Sequence, residues 1–386
     1  MIENRVIVCF ASGYDAPPTS KHHVAHILAE HNVVLWVNYH ASRTPSATAD
    51  DARYILKKLS QVFGGIKEMR KNLFVLTPLV LPFPASKAAK KINRILLGWQ
   101  IRRAVHQIAA GRPLHVWSFA PDVAYCIDSL HPEKVIYYCV DDFAHFTGYD
   151  PNQVRRDEQA LCRRSDLVVA TSQNLYDDRI KDNPNTLLVP HGVDYSHFAA
   201  AANDDAPLPL PHDVAEIPQP RIGFFGLLRD WVDIKMLAII ASRRTEWQFV
   251  LIGDANMNID EYRKFHNMHF LGRKSYKELP AYCRAFDVGI IPFQMNELTA
   301  AANPIKLREY LAAGLPVVSS PMPEVRRYAE KGLVRLASGA DEFERAIDAA
   351  IKDSPAMRQK YSRAMIDETW PAKIELICEH LMKGGK

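Results

Sequence analysis

The chain has 386 residues, 48% of them hydrophobic and 24% charged, with a net charge of only +4. That describes an ordinary soluble globular protein of about two domains. Cysteines 9, 126, 139, 162, 283 and 378 form no C-x-x-C pair and no zinc spacing, so a reduced cytosolic compartment is expected.

From Met1 the chain leads straight into a strand, and no signal peptide is expected. Arg5–Phe10 reads as the first strand, Ser20–His31 as a helix and Val33–Asn38 as a second strand. After the first strand comes Ala11-Ser12-Gly13-Tyr14-Asp15, where Gly13 permits close approach of a ligand. Lys21, His22 and His23 open the next helix, so Gly13, His22 and His23 are candidate acceptor contacts. The alternative is that the helix residues are solvated. The apolar run Leu73–Pro84 contains the strand Leu73–Thr77, but it is half a membrane span and broken by prolines. The protein is therefore not expected to be integral to a membrane.

Charge is unevenly placed. From Met69 to Pro121 there is no Asp or Glu, and a helix is expected over Ala88–Ala110. Lys87, Lys90, Lys91 and Arg94 recur along it at i, i+3, i+4, i+7. Ile92, Ile95, Leu96 and Trp99 recur at the same spacing on another face. Such a helix could lie against anionic lipid, or its apolar face could belong to the core with the lysines in water. The acid-free stretch favours the membrane. Nucleic acid is discounted as a partner, because overall charge is modest and no nucleic-acid module is visible.

Strands are next expected at Leu114–Ser118, Lys134–Val140, Leu167–Thr171 and Leu187–Pro190, with a helix over Pro151–Arg164. The Lys134–Val140 strand ends in Asp141-Asp142. Adjacent carboxylates at a buried strand end are costly unless used or paired. Their mutual repulsion raises one pKa, which suits a general base. The pair could equally cap the following segment. His145 is a weaker candidate base.

Ala199–Pro220, rich in Ala, Asp and Pro without apolar periodicity, reads as an interdomain linker. The alternation then resumes with strands at Arg221–Phe225, Gln248–Ile252, His269–Leu271, Val288–Pro292, Val317–Ser319 and Val334–Leu336. The expected domains are residues 1–200, a linker over 201–220, a second domain over 221–368 and a terminal helical segment over 369–386. Two doubly wound α/β domains would form a cleft at the carboxyl ends of their sheets, where ligands bind. In the second domain, Gly226 and Leu228 could bring backbone amides to a phosphate, with Arg229 to neutralise it. Asn303-Pro304-Ile305-Lys306-Leu307-Arg308-Glu309 starts a helix, and Gly314-Leu315-Pro316 stops it. Lys306 and Glu309 share a face, so free helix amides plus a lysine suit a phosphate and the carboxylate suits ribose hydroxyls. An ordinary amphipathic helix with a solvated pair is the alternative.

The stretch from Pro304 to Val318 resembles the nucleotide-binding signature of GT-B glycosyltransferases, in the form P-x-K-h-x-E-Y-h-A-x-G-x-P-V-V with h apolar. Val189-Pro190-His191-Gly192-Val193-Asp194 through Phe198 resembles that family's P-N-G-V-D-x-x-x-F segment. Ile222–Gly226 and Phe249–Gly253 resemble the first two strands of its second domain.

The resemblance implies a hexosyltransferase-type enzyme of polysaccharide biosynthesis, taking a UDP-sugar or similar nucleotide sugar. It assigns Lys306 to the diphosphate, Glu309 to the ribose and Arg273 to the base, with Asn303 and Ile305 completing the loop. It also implies that the final helix crosses back to the first domain. Many retaining relatives carry a second glutamate eight residues before the position of Glu309, but Ala301 stands there and Glu297 is out of register. The Asp141 segment is similar to the strand-end Asp of the inverting glucuronosyltransferase that builds xanthan, which implies Asp141 as base. No metal cofactor is expected, because the lysine and helix amides can carry leaving-group charge. The expected partners are a nucleotide-sugar donor, a lipid-linked or polysaccharide acceptor and the anionic inner face of the cell membrane. Two rival readings share the architecture: a nucleotide-sugar 2-epimerase and a non-catalytic nucleotide-binding module.

Overall fold

Buried runs of Val, Ile and Leu alternate with capped helices in both halves of the chain, and each half builds its own parallel sheet. The computed structural model describes residues 1–39, 65–81, 83, 86–203 and 205–383. Two units result: Met1–Pro190 together with the segment from Lys373 onward, and His191–Ala372.

In the first unit the strands are β1 (Val6–Ala11), β2 (Val33–Asn38), β3 (Ile66–Arg70), β4 (Leu73–Leu76), β5 (Leu114–Ser118), β6 (Lys134–Cys139), β7 (Leu167–Ala170) and β8 (Thr186–Leu188). They lie in the order β3-β4-β2-β1-β5-β6-β7-β8. The central β1 is wholly buried and pairs in parallel with β2 from Val6↔Val33 and with β5 from Val6↔Leu114. Burial on both faces explains why these strands read as continuous apolar runs. The sequence reading missed β3, an antiparallel edge strand whose Ile-Lys-Glu-Met-Arg is mostly exposed and has no apolar pattern. A charged edge of this kind blocks further pairing.

The longer helices of this unit are α1 (Ser20–His31), α2 (Lys87–Ala109), α3 (Pro151–Arg164) and α4 (Gln173–Arg179). Ser86, Asp150 and Ser172 cap the last three through their side-chain oxygens. No described helix is long and apolar enough to cross a membrane. Pro82 and Pro84, at the end of the apolar run noted above, lie outside the described residues.

In the second unit β9 (Arg221–Phe225), β10 (Gln248–Ile252), β11 (Met268–Gly272), β12 (Val288–Ile291), β13 (Val317–Ser319) and β14 (Arg335–Leu336) form a wholly parallel sheet in the order β11-β10-β9-β12-β13-β14. Its helices include α5 (Tyr195–Ala199), α6 (Ile234–Arg243), α7 (Leu279–Ala285), α8 (Ile305–Ala312), α9 (Pro323–Glu330), α10 (Gly339–Ile351) and α11 (Pro355–Arg363). The last helix, α12 (Trp370–Lys383), begins here, and from Lys373 it belongs to the first unit. There Ile374, Ile377 and Cys378 are buried and His380 bonds to Asn185 at 2.8 Å.

The expected linker is different. Residues 205–220 pack with the second unit, whose core takes Val214 and Ile217. Arg221 Nε donates to the Ile217 carbonyl at 2.7 Å and Tyr282 Oη donates to Asp213 at 2.7 Å. Two anchoring apolar side chains are too few to register as a period, so the segment looks unstructured in sequence. All six cysteines are buried and unpaired.

Candidate active site

In parallel sheets the catalytic groups gather at the carboxyl ends of the strands. In the second unit, β9 and β10 end in Gly226 (φ +143°) and Gly253 (φ +142°), a backbone region closed to other residues. A side chain on Gly253 would run into the Gly226 carbonyl, so the two turns sit directly against each other. A Cβ on Gly226 would lie 3.2 Å from Lys306 Cε and 3.4 Å from its Nζ, so the absent side chain makes room for the lysine.

Lys306 is the second residue of α8. Its ammonium lies 4.9 Å from the centre of the Phe293 ring and 5.4 Å from that of Phe224. It makes no hydrogen bond or ion pair among the described residues. Burial lowers its pKa to about 8, with Glu309 pulling the other way. The amides of Ile305 and Lys306, at the open N-terminus of α8, are likewise unbonded. Glu309, one turn on, is buried, and its carboxylate accepts no hydrogen bond from a described residue. Burial raises it to about 7, Lys306 opposing and Asp194 reinforcing. Asp194 caps α5, and Tyr276 stacks on His197 with ring centroids 4.8 Å apart. The Tyr276 phenol is raised by burial first and by the charges of Glu309 and Asp194 next.

In the first unit, Asp141 lies two residues beyond the end of β6. Thr171 Oγ1 donates to the Cys139 and Val140 carbonyls, both at 3.2 Å, and so fixes the strand end. The Asp141 carboxylate remains partly accessible and takes no hydrogen bond from a described residue. Burial raises it to about 7; Lys21 lowers it and Asp142 raises it further. Lys21 donates to Ser12 Oγ and is itself lowered by burial. Asp142 accepts from the Ala144 amide at 3.3 Å and from His145 Nδ1 at 2.8 Å. The two aspartates therefore do different work: Asp142 builds the turn and holds His145, and Asp141 is left open. Behind them Glu158 pairs with Arg179 at 2.9 Å in the interior.

Residues 219–353 match the family model described as Glycosyl transferases group 1, a span that includes Gly226, Lys306 and Glu309. A relative named provisionally as the teichuronic acid biosynthesis glycosyltransferase TuaH, from Bacillus subtilis, is 24% identical over 352 residues, covering 83% of this chain and 82% of its own. A GDP-mannose-dependent alpha-mannosyltransferase from Mycolicibacterium smegmatis is 26% identical over 58% of this chain and 57% of its own. Among solved structures, Anabaena HepE in complex with UDP and glucose superposes with a TM-score of 0.69 at 14% identity, covering 98% of this chain and all of that one. Sucrose-phosphate synthase from Thermosynechococcus elongatus gives the same score and identity, with 98% of each chain covered. The chain is a glycosyltransferase of the GT-B fold.

Several residues expected to bind substrate in this glycosyltransferase are instead used by the fold. Leu228 is buried; its amide donates to the Asp254 carbonyl at 3.0 Å and its carbonyl accepts from Asn256 at 2.9 Å. The neighbouring Leu227 amide is the one without a bond among the described residues. Asn303 is buried, accepts from Arg308 Nη1 at 2.8 Å and reaches Glu324 at 3.4 Å, so its side chain braces the loop before α8. His22 is buried in a capping box with Thr19, donates from Nε2 to the Tyr14 carbonyl and packs its ring 4.7 Å from Trp36. Burial lowers its pKa to about 4, so it stays neutral. Lys90 is tied to Asp157 at 2.6 Å.

The other candidates lie at accessible positions. Arg229 is half-buried beside Gly226, stacks over Trp231 at 5.5 Å, and its buried Nε has no partner among the described residues. Arg273 is exposed just after Gly272. Gly13 turns the chain, its carbonyl accepting from Ala16, and His23 is half-buried on α1. Lys87, Lys91 and Arg94 are exposed. Ala301 is buried at the end of a short helix starting at Glu297, which leaves no carboxylate at that position. Asp194, Phe224, Phe293 and Tyr276 were missed. Asp194 lies in a quoted motif and has the signal of a helix cap, whereas the aromatic residues around Lys306 are indistinguishable in sequence from core.

Proposed function

We propose that the enzyme moves a sugar from a nucleoside-diphosphate donor, by preference a UDP-sugar, to a lipid-linked or polysaccharide acceptor, with inversion. The acceptor is met at the anionic cytoplasmic face of the cell membrane. The observation that supports the reading best is Lys306: an ammonium held against two aromatic rings, with no oxygen partner and with two open helix amides beside it. An ammonium drawn into an aromatic cradle without a hydrogen-bonded anion is costly, and a diphosphate relieves that cost. Glu309, one turn further, has free acceptor oxygens for ribose hydroxyls. HepE, of the same fold, has been solved with UDP and with UDP-glucose.

In the transfer, Asp141 takes the proton of the acceptor hydroxyl as its oxygen attacks the anomeric carbon, and the bond to the diphosphate breaks. Lys306 and the Ile305 and Lys306 amides take up the charge developing on the leaving group, so the step needs no metal. A carboxyl near pH 7 matches the requirement for a base at neutral pH. Buried Ala301 offers no carboxylate to a retaining route.

The test is nucleotide release from UDP-, GDP- and dTDP-sugars, with and without membrane lipid extract, in the native enzyme, Asp141→Asn and Lys306→Ala. Lipid-stimulated release that disappears in Asp141→Asn while donor binding persists supports transfer and base together. Conversion of the donor without acceptor would reassign the protein to the epimerases.

A further inference from the structure

The outer face of α2 carries side chains that the fold does not use. Its buried face is Ala89, Asn93, Leu97, Gly98, Ile101 and Ala104. Helical geometry, about 100° per residue, puts Ile92, Ile95 and Trp99 on the far side, where they are 47%, 66% and 54% exposed. Lys91, Arg94, Arg102 and Arg103 border this ridge and are exposed. The Arg103 guanidinium lies 5.6 Å from the Trp99 ring centre. A recess of about 420 Å³ opens between Arg94, Ile95, Trp99, Arg102 and Ser129.

The segment before the helix is clasped to α2. The Leu79 amide donates to Gln100 Oε1 at 2.9 Å, and Gln100 Nε2 returns a bond to the Leu79 carbonyl at 3.0 Å. Asn93 makes the same two-way clasp with Leu81, at 2.7 and 3.0 Å. Leu79, about half exposed, is thereby held against α2. Single exposed apolar side chains are ordinary, but a contiguous patch with a charged rim marks an interaction surface.

We propose that this ridge docks on an anionic lipid bilayer, with Ile92, Ile95 and Trp99 in the acyl boundary and Lys91, Arg94, Arg102 and Arg103 on headgroup phosphates. The inference rests on the reading that the acceptor is met at a membrane, and names the surface that would bring the enzyme there. Charge chooses the occupant: the stretch from Met69 to Pro121 holds no acidic residue to repel anionic lipid. The sequence left the core open as a place for Ile92, Ile95 and Trp99, and assigned the membrane contact partly to Lys90. Their exposure, and the Lys90–Asp157 pair, move the docking surface onto the apolar ridge itself.

The experiment is flotation of the full chain with vesicles of phosphatidylcholine alone and of phosphatidylcholine mixed with phosphatidylglycerol. Mixed vesicles should bind at least about tenfold more protein, since each basic side chain near an anionic surface contributes about fivefold. Binding should weaken with added salt and fall at least about tenfold in the Ile95→Glu, Trp99→Glu double variant. Trp36, Trp117, Trp247 and Trp370 are buried, so vesicles should blue-shift an emission component that Trp99→Phe lacks. UDP binding, measured alongside, reports folding and should not change. Equal flotation of native and double variant, or no preference for anionic vesicles, overturns the proposal. So does self-association that the double variant abolishes without any vesicle binding. Flotation as expected in an enzyme that transfers no sugar would remove the catalytic reading and leave the docking surface standing.

Discussion

The two units carry the same electrostatic arrangement and use it differently. In the first, a carboxyl raised to about 7 (Asp141) feels a half-buried lysine (Lys21) and a second aspartate (Asp142). In the second, a carboxyl raised to about 7 (Glu309) feels a half-buried lysine (Lys306) and a second aspartate (Asp194). What separates them is which member is already bonded. Lys21 donates to Ser12, while the Asp141 carboxylate takes no hydrogen bond from a described residue. Lys306 spends nothing, so its charge is offered to a ligand and Glu309 serves beside it. In the proposed reaction the same kinds of group thus serve as a proton acceptor in one place and an anion receptor in the other, and hydrogen-bond commitments separate the two roles.

The largest break in this comparison should come from Asp141→Asn. Losing a positioned base costs about 10²- to 10⁴-fold, so the turnover number should fall by that factor while donor affinity, measured calorimetrically, stays within about twofold. An equal fall in donor affinity would place Asp141 at the donor instead.

Lys306→Met should do the reverse. A charge-assisted bond to phosphate contributes about 1.5–3 kcal/mol, so UDP should bind roughly 10- to 100-fold more weakly. The same variant should be more stable without ligand, by about 1 kcal/mol in urea unfolding, because it removes a half-buried ammonium that makes no hydrogen bond or ion pair with a described residue. A loss of stability would show that Lys306 has a partner the ligand-free enzyme needs. Glu309→Gln should weaken UDP less, by about tenfold or under, because an amide oxygen still accepts from ribose.

Most of the fold could be read from the sequence, because the sheets are parallel and buried on both faces. The run Val6–Ala11 and the run Val317–Ser319 announce themselves by composition alone. The edge strand Ile66–Arg70 does not, since pairing rather than burial makes it a strand. At the site, the helix-start chemistry of Pro304 to Lys306 and the strand-end position of Asp141 were legible as local signals. The fates of Leu228, Asn303 and His22 were not. Each also has a partner distant in sequence, Asp254, Glu324 and Trp36 respectively, and no local pattern reveals those contacts. The aromatic cradle of Lys306 joins Phe224 at the end of one strand to Phe293 beyond another, a proximity that only the sheet order creates.

The smallest effect is also the sharpest test of the pairing between Asp141 and Lys21. A base must be ionised, so kcat/KM for a soluble acceptor should rise about tenfold per pH unit below 7 and level off above it. Lys306 must be protonated, so the same quantity should fall above about 8, giving a narrow bell. Lys21 holds the Asp141 pKa down, so Lys21→Met should move the acidic limb above 7 and leave the alkaline limb in place. Lys21→Arg, which restores the charge, should bring the limb back toward its native position. Glu309 titrates in the same range, but Glu309→Gln should leave the acidic limb where it was, since a ribose acceptor need not be ionised. Stability carries the matching sign. Both raised carboxyls make the folded state hold more protons than the unfolded chain from the ordinary carboxylate range up to about pH 7, so ligand-free stability should decline as pH rises through that window. Asp141→Asn should flatten part of that decline. A decline of unchanged depth, with the acidic limb unmoved in Lys21→Met, would separate the lysine from the base and end the analogy between the two units.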